Sequence, residues 1–430
     1  MKRLIAISGA LVALAAGRAG AQPPPEPAGP DAAPPAAPAP APAPARAPEP
    51  GVAGAVVAPP PDAAPKTPRL EVSGYLAPGF GLKGRPDALP RDRLEYGFVG
   101  GAGLIFKAAP FPMWSANLHI VLSSQLLNLV TGASEADFNG DNIPDAIVVS
   151  EQRFELPGKL LEEATVTFQP AQVFALRGGV LRIPFTVQQQ SPNTALLFPN
   201  RSQPNEVFVS GSDLGVLAEG NFGDGRLRGS VGIFNGSSLG LQLRKTVPRG
   251  IVYSFRADVN PFGDFPFWEG DAKRGRFRLG LGGGLLYRPE TLFNDAGYTA
   301  GSADDVRVSA SLRMAVAGLY VGIEYLHRTQ TDTISSRPKV ADGAYTQISY
   351  FIPVRPSFAL APIARLGITV ENENVEPRQT GWLDAGFSFF PRADAPEPDA
   401  LKLTLQYLLE RRFTEGEDAH GFVAQVQLKF

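Results

Sequence analysis

The 430-residue chain contains no cysteine, which excludes thiolate zinc sites, iron–sulfur clusters, disulfide frameworks and acylation at a mature N-terminal Cys. It also lacks a surplus of either charge. Its 40 Lys plus Arg stand against 42 Asp plus Glu, so there is no basic footprint for a nucleic-acid backbone, and nucleic acid is not an expected partner. Histidine is scarce, with only His119, His327 and His420. Beyond the N-terminus no apolar run approaches the roughly 18 residues that a membrane-spanning helix requires. Gly and Pro are plentiful, at 46 and 42 residues, and very unevenly placed.

Lys2 and Arg3 precede the apolar run Leu4 to Ala16, and Ala19-Gly20-Ala21 follows as a cleavage site, so residues 1–21 read as an export signal. The mature chain then starts near Gln22 with a net charge of −5. Residues 22–68 hold 18 of the 42 prolines and little else but Ala and Gly. Such a segment buries too little side chain to offset the entropy of ordering, so it is expected to be a disordered, extended linker in the periplasm.

Residues 69–430 show a different regularity, a period of two. Trp114, Ala116, Leu118, Ile120 and Leu122 alternate with Ser115, Asn117, His119, Val121 and Ser123; Phe277, Leu279 and Leu281 alternate with Arg276, Arg278 and Gly280. Each stretch is a strand with one apolar and one wet face. Turn signals divide the region into sixteen such segments, from 69–83 and 92–107 through 226–235, 251–260 and 276–288 to 400–411 and 420–430. The connections alternate between tight turns and long loops, with both termini on the tight side, although 261–275 and 391–399 are long for that side. The expected fold is all-β: a transmembrane antiparallel β-barrel of about 16 strands. Hydrocarbon offers no partner to backbone N–H and C=O groups, so strands cross it only when every edge is closed by another strand. The chain ends with Phe422, Ala424, Val426, Leu428 and Phe430 on one face and stops on the aromatic. That is like the terminal strand by which barrel insertion machinery recognises its clients, and it places the domain among the lipids of the outer membrane of a double-membraned bacterium.

Parity places Arg226, Arg228, Arg256, Arg276, Arg278, Arg307, Arg313, Arg365 and Lys402 in the lumen, against Glu163, Asp213, Glu219, Asp258, Glu324 and Asp384. The wall is then positive, although the region as a whole carries 35 bases and 38 acids. A confined positive path favours small anions, and Arg suits phosphate and carboxylate through its planar fork. Arg226, Arg228, Arg256, Arg276 and Arg278 form the best candidate conducting ladder.

Several stretches resemble the phosphate-selective porin family. They are Leu161-Glu162-Glu163-Ala164 before Phe168, Leu176-Arg177-Gly178-Gly179 with Arg182-Ile183-Pro184-Phe185, Asp213-Leu214-Gly215-Val216, and Gly232-Ile233-Phe234-Asn235-Gly236. Tyr345 to Tyr350, Arg365, Gly381 to Phe389, Leu401-Lys402-Leu403 and Tyr407-Leu408 fit its closing strands. Ser212, where a basic residue is expected, and Arg182, on the opposite parity from Arg177, depart from that pattern. The resemblance implies a homotrimeric sixteen-stranded channel whose third loop folds inward. In loop 184–206, Ala195-Leu196-Leu197-Phe198 would pack on the wall and present Arg201 to the lumen. Passive diffusion of small hydrophilic solutes, with a preference for anions such as phosphate, is the expected function; a barrel serving as an anchor or adhesion scaffold is the alternative.

In the longest loop, Asp137, Asn139, Asp141 and Asp145 supply side-chain oxygens at positions 1, 3, 5 and 9, with the Ile143 carbonyl at 7, the spacing that a hard cation such as Ca2+ needs. The stretch resembles the calcium loops of integrin-type repeats, departing from them at Asn142. Enzymatic activity is not expected: His119 faces the lumen, His327 and His420 lie at strand ends, and parity assigns none of them a nucleophile and acid.

Overall fold

The computed structural model describes residues 69–84, 94–123, 133–136, 146–149, 161–209, 211–236, 251–295, 298–332, 338–373, 376–395, 397–414 and 416–430. The expected export signal and linker, 1–21 and 22–68, lie outside these residues, as does the candidate calcium loop, 137–145.

The described chain is nearly all strand. The first half contains β1 (Arg69–Gly84), β2 (Leu94–Phe111), β3 (Trp114–Ser123), β4 (Ala133–Ala136), β5 (Ala146–Val149), β6 (Leu161–Ala171), β7 (Phe174–Arg182), β8 (Ser212–Phe222) and β9 (Leu227–Phe234). The second contains β10 (Val252–Val259), β11 (Arg278–Asp295), β12 (Tyr298–Val316), β13 (Leu319–Asp332), β14 (Pro338–Tyr350), β15 (Ile352–Arg355), β16 (Phe358–Glu373), β17 (Glu376–Phe390), β18 (Leu401–Arg412) and β19 (Glu417–Lys429). All but β4 and β5 belong to one antiparallel sheet in which every strand pairs with its neighbours in sequence and β1 pairs with both β2 and β19. The sheet is therefore a closed cylinder. Because β15 continues β14 past Phe351 along the same partner β16, the cylinder has sixteen staves, the number expected. At the seam the Phe430 N–H donates to the Gly74 carbonyl at 3.0 Å and accepts the reverse bond at 2.8 Å through its own carbonyl, so the last residue itself closes the edge.

Tight turns sit at one end. The β12–β13 turn places Ala317 at φ 50° and Gly318 at φ 100°, the left-handed pair that a two-residue hairpin with the strands' own twist demands. At the other end the connections after β3, β7 and β9 are long, and the first of them carries the separate β4–β5 hairpin, which brackets 137–145; the long loops expected at 289–305 and 329–342 are instead mostly strand, β11 and β12 pairing as far as Asp295 and Tyr298.

The wall is inside-out relative to a water-soluble protein. Leu104, Val166, Val216, Ile233, Phe255, Leu285, Ile323, Ile348, Phe387 and Val426 are exposed on the outer face, while Arg256, Asp258, Glu324, Gln347, Arg365, Asp384 and Gln425 are buried within. Water would not tolerate that exterior, and hydrocarbon requires it. Aromatic residues gather at both margins: Phe111, Trp114, Phe174, Phe222 and Phe277 toward the tight turns, and Tyr253, Tyr287, Tyr325 and Tyr407 toward the long loops.

Candidate constriction inside the barrel

The connection between β7 and β8 runs through the lumen. Its apolar side chains leave it little choice, since Ile183, Phe185, Val187, Leu196, Leu197, Phe198 and Phe208 are all buried against the inner wall. Local order comes from two capped turns. The Thr186 hydroxyl accepts from the Gln189 N–H at the start of the one-turn helix Val187–Gln190. The Ser202 hydroxyl accepts from Asn205 N–H ahead of the helix Gln203–Phe208.

Wall side chains then bolt this loop down through its backbone. Arg256 donates to the Phe185 carbonyl at 2.7 Å, Lys402 to Leu196 at 2.7 Å, Arg365 to Asn200 at 3.0 Å and Arg307 to Phe208 at 2.6 Å. Gln427 donates to the Thr194 carbonyl at 3.0 Å, and Glu324 accepts the Val187 N–H at 2.9 Å. The Arg365 guanidinium also lies 4.5 Å from the centre of the Phe198 ring. Three of these bases are neutralised at close range: Arg256 by Asp258, Arg307 by Asp305 and Arg365 by Asp384, each at 2.6 Å. Buried charges of this kind persist only when paired and hydrogen-bonded.

A second segment enters from the tight-turn end. The connection Asn260–Phe277 carries Phe265, buried, and Phe267 and Trp268 into the lumen, where they sit against cations. Arg313 stacks on Phe265 at 4.7 Å and Phe267 at 4.9 Å and donates to the Pro266 carbonyl at 2.7 Å. Arg278 covers Phe265 at 5.1 Å, and Lys429 covers Trp268 at 5.6 Å. The two in-folded loops meet at Glu269. Its backbone N–H donates to the Ala195 carbonyl at 3.0 Å, and its carboxylate accepts Leu197 N–H and the Gln188 side-chain amide, both at 2.8 Å.

The expected ladder is corrected by these placements. Arg226 stands exposed in the β8–β9 turn and Arg276 stands exposed ahead of β11, which begins at Arg278 rather than at 276, so neither faces the lumen from a strand. Arg228 and Arg278 do point inward but are bound to acids of the in-folded connection, Asp264 and Asp271 respectively. Parity also missed Asp305, Asp264, Asp271 and Glu269. The first is hidden where β12 extends beyond its expected start at 306, and the others lie in a connection to which strand parity does not apply.

The opposite wall differs. Across β1, β3, β6 and β7, Tyr75, His119 and Thr165 are buried toward the lumen. Arg177 is held by Glu163 and Glu219, and Arg182 by Glu162 at 2.7 Å. Asn117 Oδ1, His119 Nε2, Thr165 Oγ1, Arg182 Nε, Gln190 Nε2 and Asn193 Oδ1 are buried here with no protein partner, as are Ser254 Oγ, Asn260 Oδ1, Arg313 Nη2 and Gln406 Oε1 on the bolted wall, so both walls hold polar atoms whose natural partner is water. Arg201 borders this corner. It donates to the Gln188 carbonyl at 2.9 Å and the Ser191 carbonyl at 3.2 Å, shares the latter with Arg182, and has no carboxylate partner among the described residues. Burial, and after it the neighbouring Arg182 guanidinium, push the Arg201 pKa below its ordinary value, against the opposing pull of Glu162, Glu206 and Glu269. Among the described residues no group of His, Asp and Glu is arranged to hold a metal.

Known structures share the architecture. The chain is similar to an anion-selective porin from Comamonas acidovorans (TM-score 0.52, 9% identity, covering 84% of this chain and 100% of that one). It is similar to the outer-membrane expressed OmpT of Vibrio cholerae (0.51, 9%, 85% and 98%) and to Salmonella typhi OmpF in complex with daunomycin (0.50, 10%, 84% and 97%). At these identities the likeness shows the fold. No family model matches, and no curated protein matches.

Proposed function

We propose that the protein is an outer-membrane porin through which small hydrophilic solutes diffuse, with a preference for small anions such as phosphate and carboxylates. The observation that carries this reading is the asymmetry of the lumen. One wall is bolted to two in-folded loops by bases that include the acid-paired Arg256, Arg307 and Arg365, and beside the other wall Arg201 donates only to backbone carbonyls. An anion passing that corner would pair with the Arg201 guanidinium. Small polar permeants also fit a barrel whose solved likenesses include an anion-selective porin.

Conductance of the purified chain in a planar bilayer under asymmetric KCl tests the proposal. Discrete steps with a reversal potential on the chloride side support it; steps on the potassium side refute the anion preference. A complete absence of steps refutes conduction and leaves the anchor or scaffold reading. A trimer is proposed on the family resemblance and is checked by the mass of the detergent-solubilised protein. Calcium binding by Asp137, Asn139, Asp141, Ile143 and Asp145 remains a proposal about loop ordering. Calorimetric titration with calcium should give heat that disappears in Asp141→Ala.

A further inference from the structure

The outward face of β13 and β14 carries a second constellation, on the other side of the wall from the lumen. His327 and Asp342 stand directly opposite each other in the register of these strands, and imidazole Nδ1 lies 2.9 Å from Asp342 Oδ1. The second ring nitrogen, Nε2, lies 3.0 Å from the hydroxyl of Thr329, two residues further along the same face. Tyr325, two residues before His327, donates its hydroxyl to the same Asp342 oxygen at 2.5 Å. The carboxylate only accepts, so it holds the imidazole proton on Nδ1 and leaves Nε2 free to take the proton of the Thr329 hydroxyl. Hydroxyl, imidazole and acid in that order are a nucleophile, its base and the group that orients the base. Sequence parity had assigned His327 no such partners.

Position along the strand points to the substrate. On this face Val321, Ile323 and Tyr325 belong to the apolar exterior and its aromatic margin, whereas His327, Thr329 and Thr331 follow toward the long-loop end. Val308 of β12, directly opposite His327, is 40% exposed, and the His327 and Asp342 side chains are each 34% exposed. The hydroxyl therefore stands where the wall changes from apolar to polar, the depth at which acyl chains meet their headgroups.

We propose that Thr329, His327 and Asp342 form an acyl-transfer site for ester-linked lipids of the surrounding outer leaflet. Thr329 Oγ1 attacks the ester carbonyl carbon as its proton passes to His327 Nε2. The carbon–oxygen bond to the alcohol then breaks, and the imidazolium returns the proton to the departing oxygen, leaving an acyl-threonine that water hydrolyses by the same route. The backbone N–H groups around Thr329 are committed to the ladders with β12 and β14, so the tetrahedral oxyanion has no dedicated donor. Turnover is accordingly slow, and covalent capture is the sensitive readout. This inference does not depend on whether the barrel conducts.

A biotinylated fluorophosphonate, applied to the full-length protein folded in detergent micelles, tests it. In the reaction with this probe the Oγ1–phosphorus bond forms, fluoride leaves and the proton goes to Nε2. Peptide mass spectrometry should map the adduct to Thr329. The adduct should be absent in Thr329→Val and should form at least about tenfold more slowly in His327→Ala and Asp342→Asn. Barrel formation of each variant is verified by the heat-dependent shift in gel mobility, and His327→Gln replaces His327→Ala should the latter not fold. An unmodified Thr329 in the wild-type protein, adducts confined to other hydroxyls, or labelling unchanged without His327 would each overturn the proposal.

Discussion

The two walls of the lumen solve opposite problems with the same residue types. Along β10 to β19, inward bases hold backbone carbonyls of two loops, and three of them, Arg256, Arg307 and Arg365, are balanced by Asp258, Asp305 and Asp384, so their charge is consumed in construction. Beside β1, β3, β6 and β7, Arg201 donates to the Gln188 and Ser191 carbonyls and has no acid at ion-pair distance among the described residues. A tally of lumen charges treats these walls alike. Their difference teaches that a base contributes to selectivity only when no neighbouring acid has already neutralised it.

The largest expected effect comes from unbolting the first wall. Arg256→Ala strands Asp258 in a buried site and leaves the Phe185 carbonyl to Ser309 alone, and breaking such a pair removes about 3–5 kcal/mol. The unfolding midpoint in detergent should fall clearly, whereas the double change Arg256→Met with Asp258→Leu should recover much of the loss. Next comes the junction of the loops. Glu269→Ala leaves the Leu197 N–H unpaired and the Gln188 amide with only its 3.3 Å bond to Gln347, an expected loss of about 1–3 kcal/mol that should appear as noisier single-channel currents; quiet, unchanged currents would show that the contact does not restrain the constriction. Smaller in stability but direct in function, Arg201→Glu should move the reversal potential toward potassium, with a permeability ratio changed roughly a few-fold at low salt. Smallest of all, Arg226→Ala and Arg276→Ala should leave stability within about 0.5 kcal/mol and the reversal potential unmoved, because both side chains stand outside the lumen wall. A shift with either would restore the ladder that their positions argue against.

Much of the cylinder was legible because a strand in a membrane obeys a strict rule. Lipid and water demand alternate faces, so Leu118 and Val426 point out while Gln425 and Gln427 point in, and the terminal Phe430 announces the seam. The inward course of the β7–β8 loop was also readable, since Ala195 to Phe198 is too apolar for an aqueous connection. What lay beyond reach depended on position in three dimensions. The connection 261–275 was visibly too long for a tight turn, and Phe262, Phe265, Phe267 and Trp268 were a signal that it seeks cover. That Arg313 and Arg278 provide the cover follows only from the closed sheet. Likewise, the His327 and Thr329 spacing is local, but Asp342 joins them across a hairpin whose register had to be known to the residue.

Absence of native cysteine makes the decisive measurement clean. Thr165→Cys places a thiol on the wall beside Arg201, and Ser254→Cys places one on the bolted wall, both at buried lumen positions. During single-channel recording, a charged methanethiosulfonate reagent should reduce the current through Thr165→Cys and leave Ser254→Cys unaffected. Block at Ser254→Cys with none at Thr165→Cys would place the permeant path on the other side of the loops and contradict the division of the lumen on which selectivity by Arg201 rests.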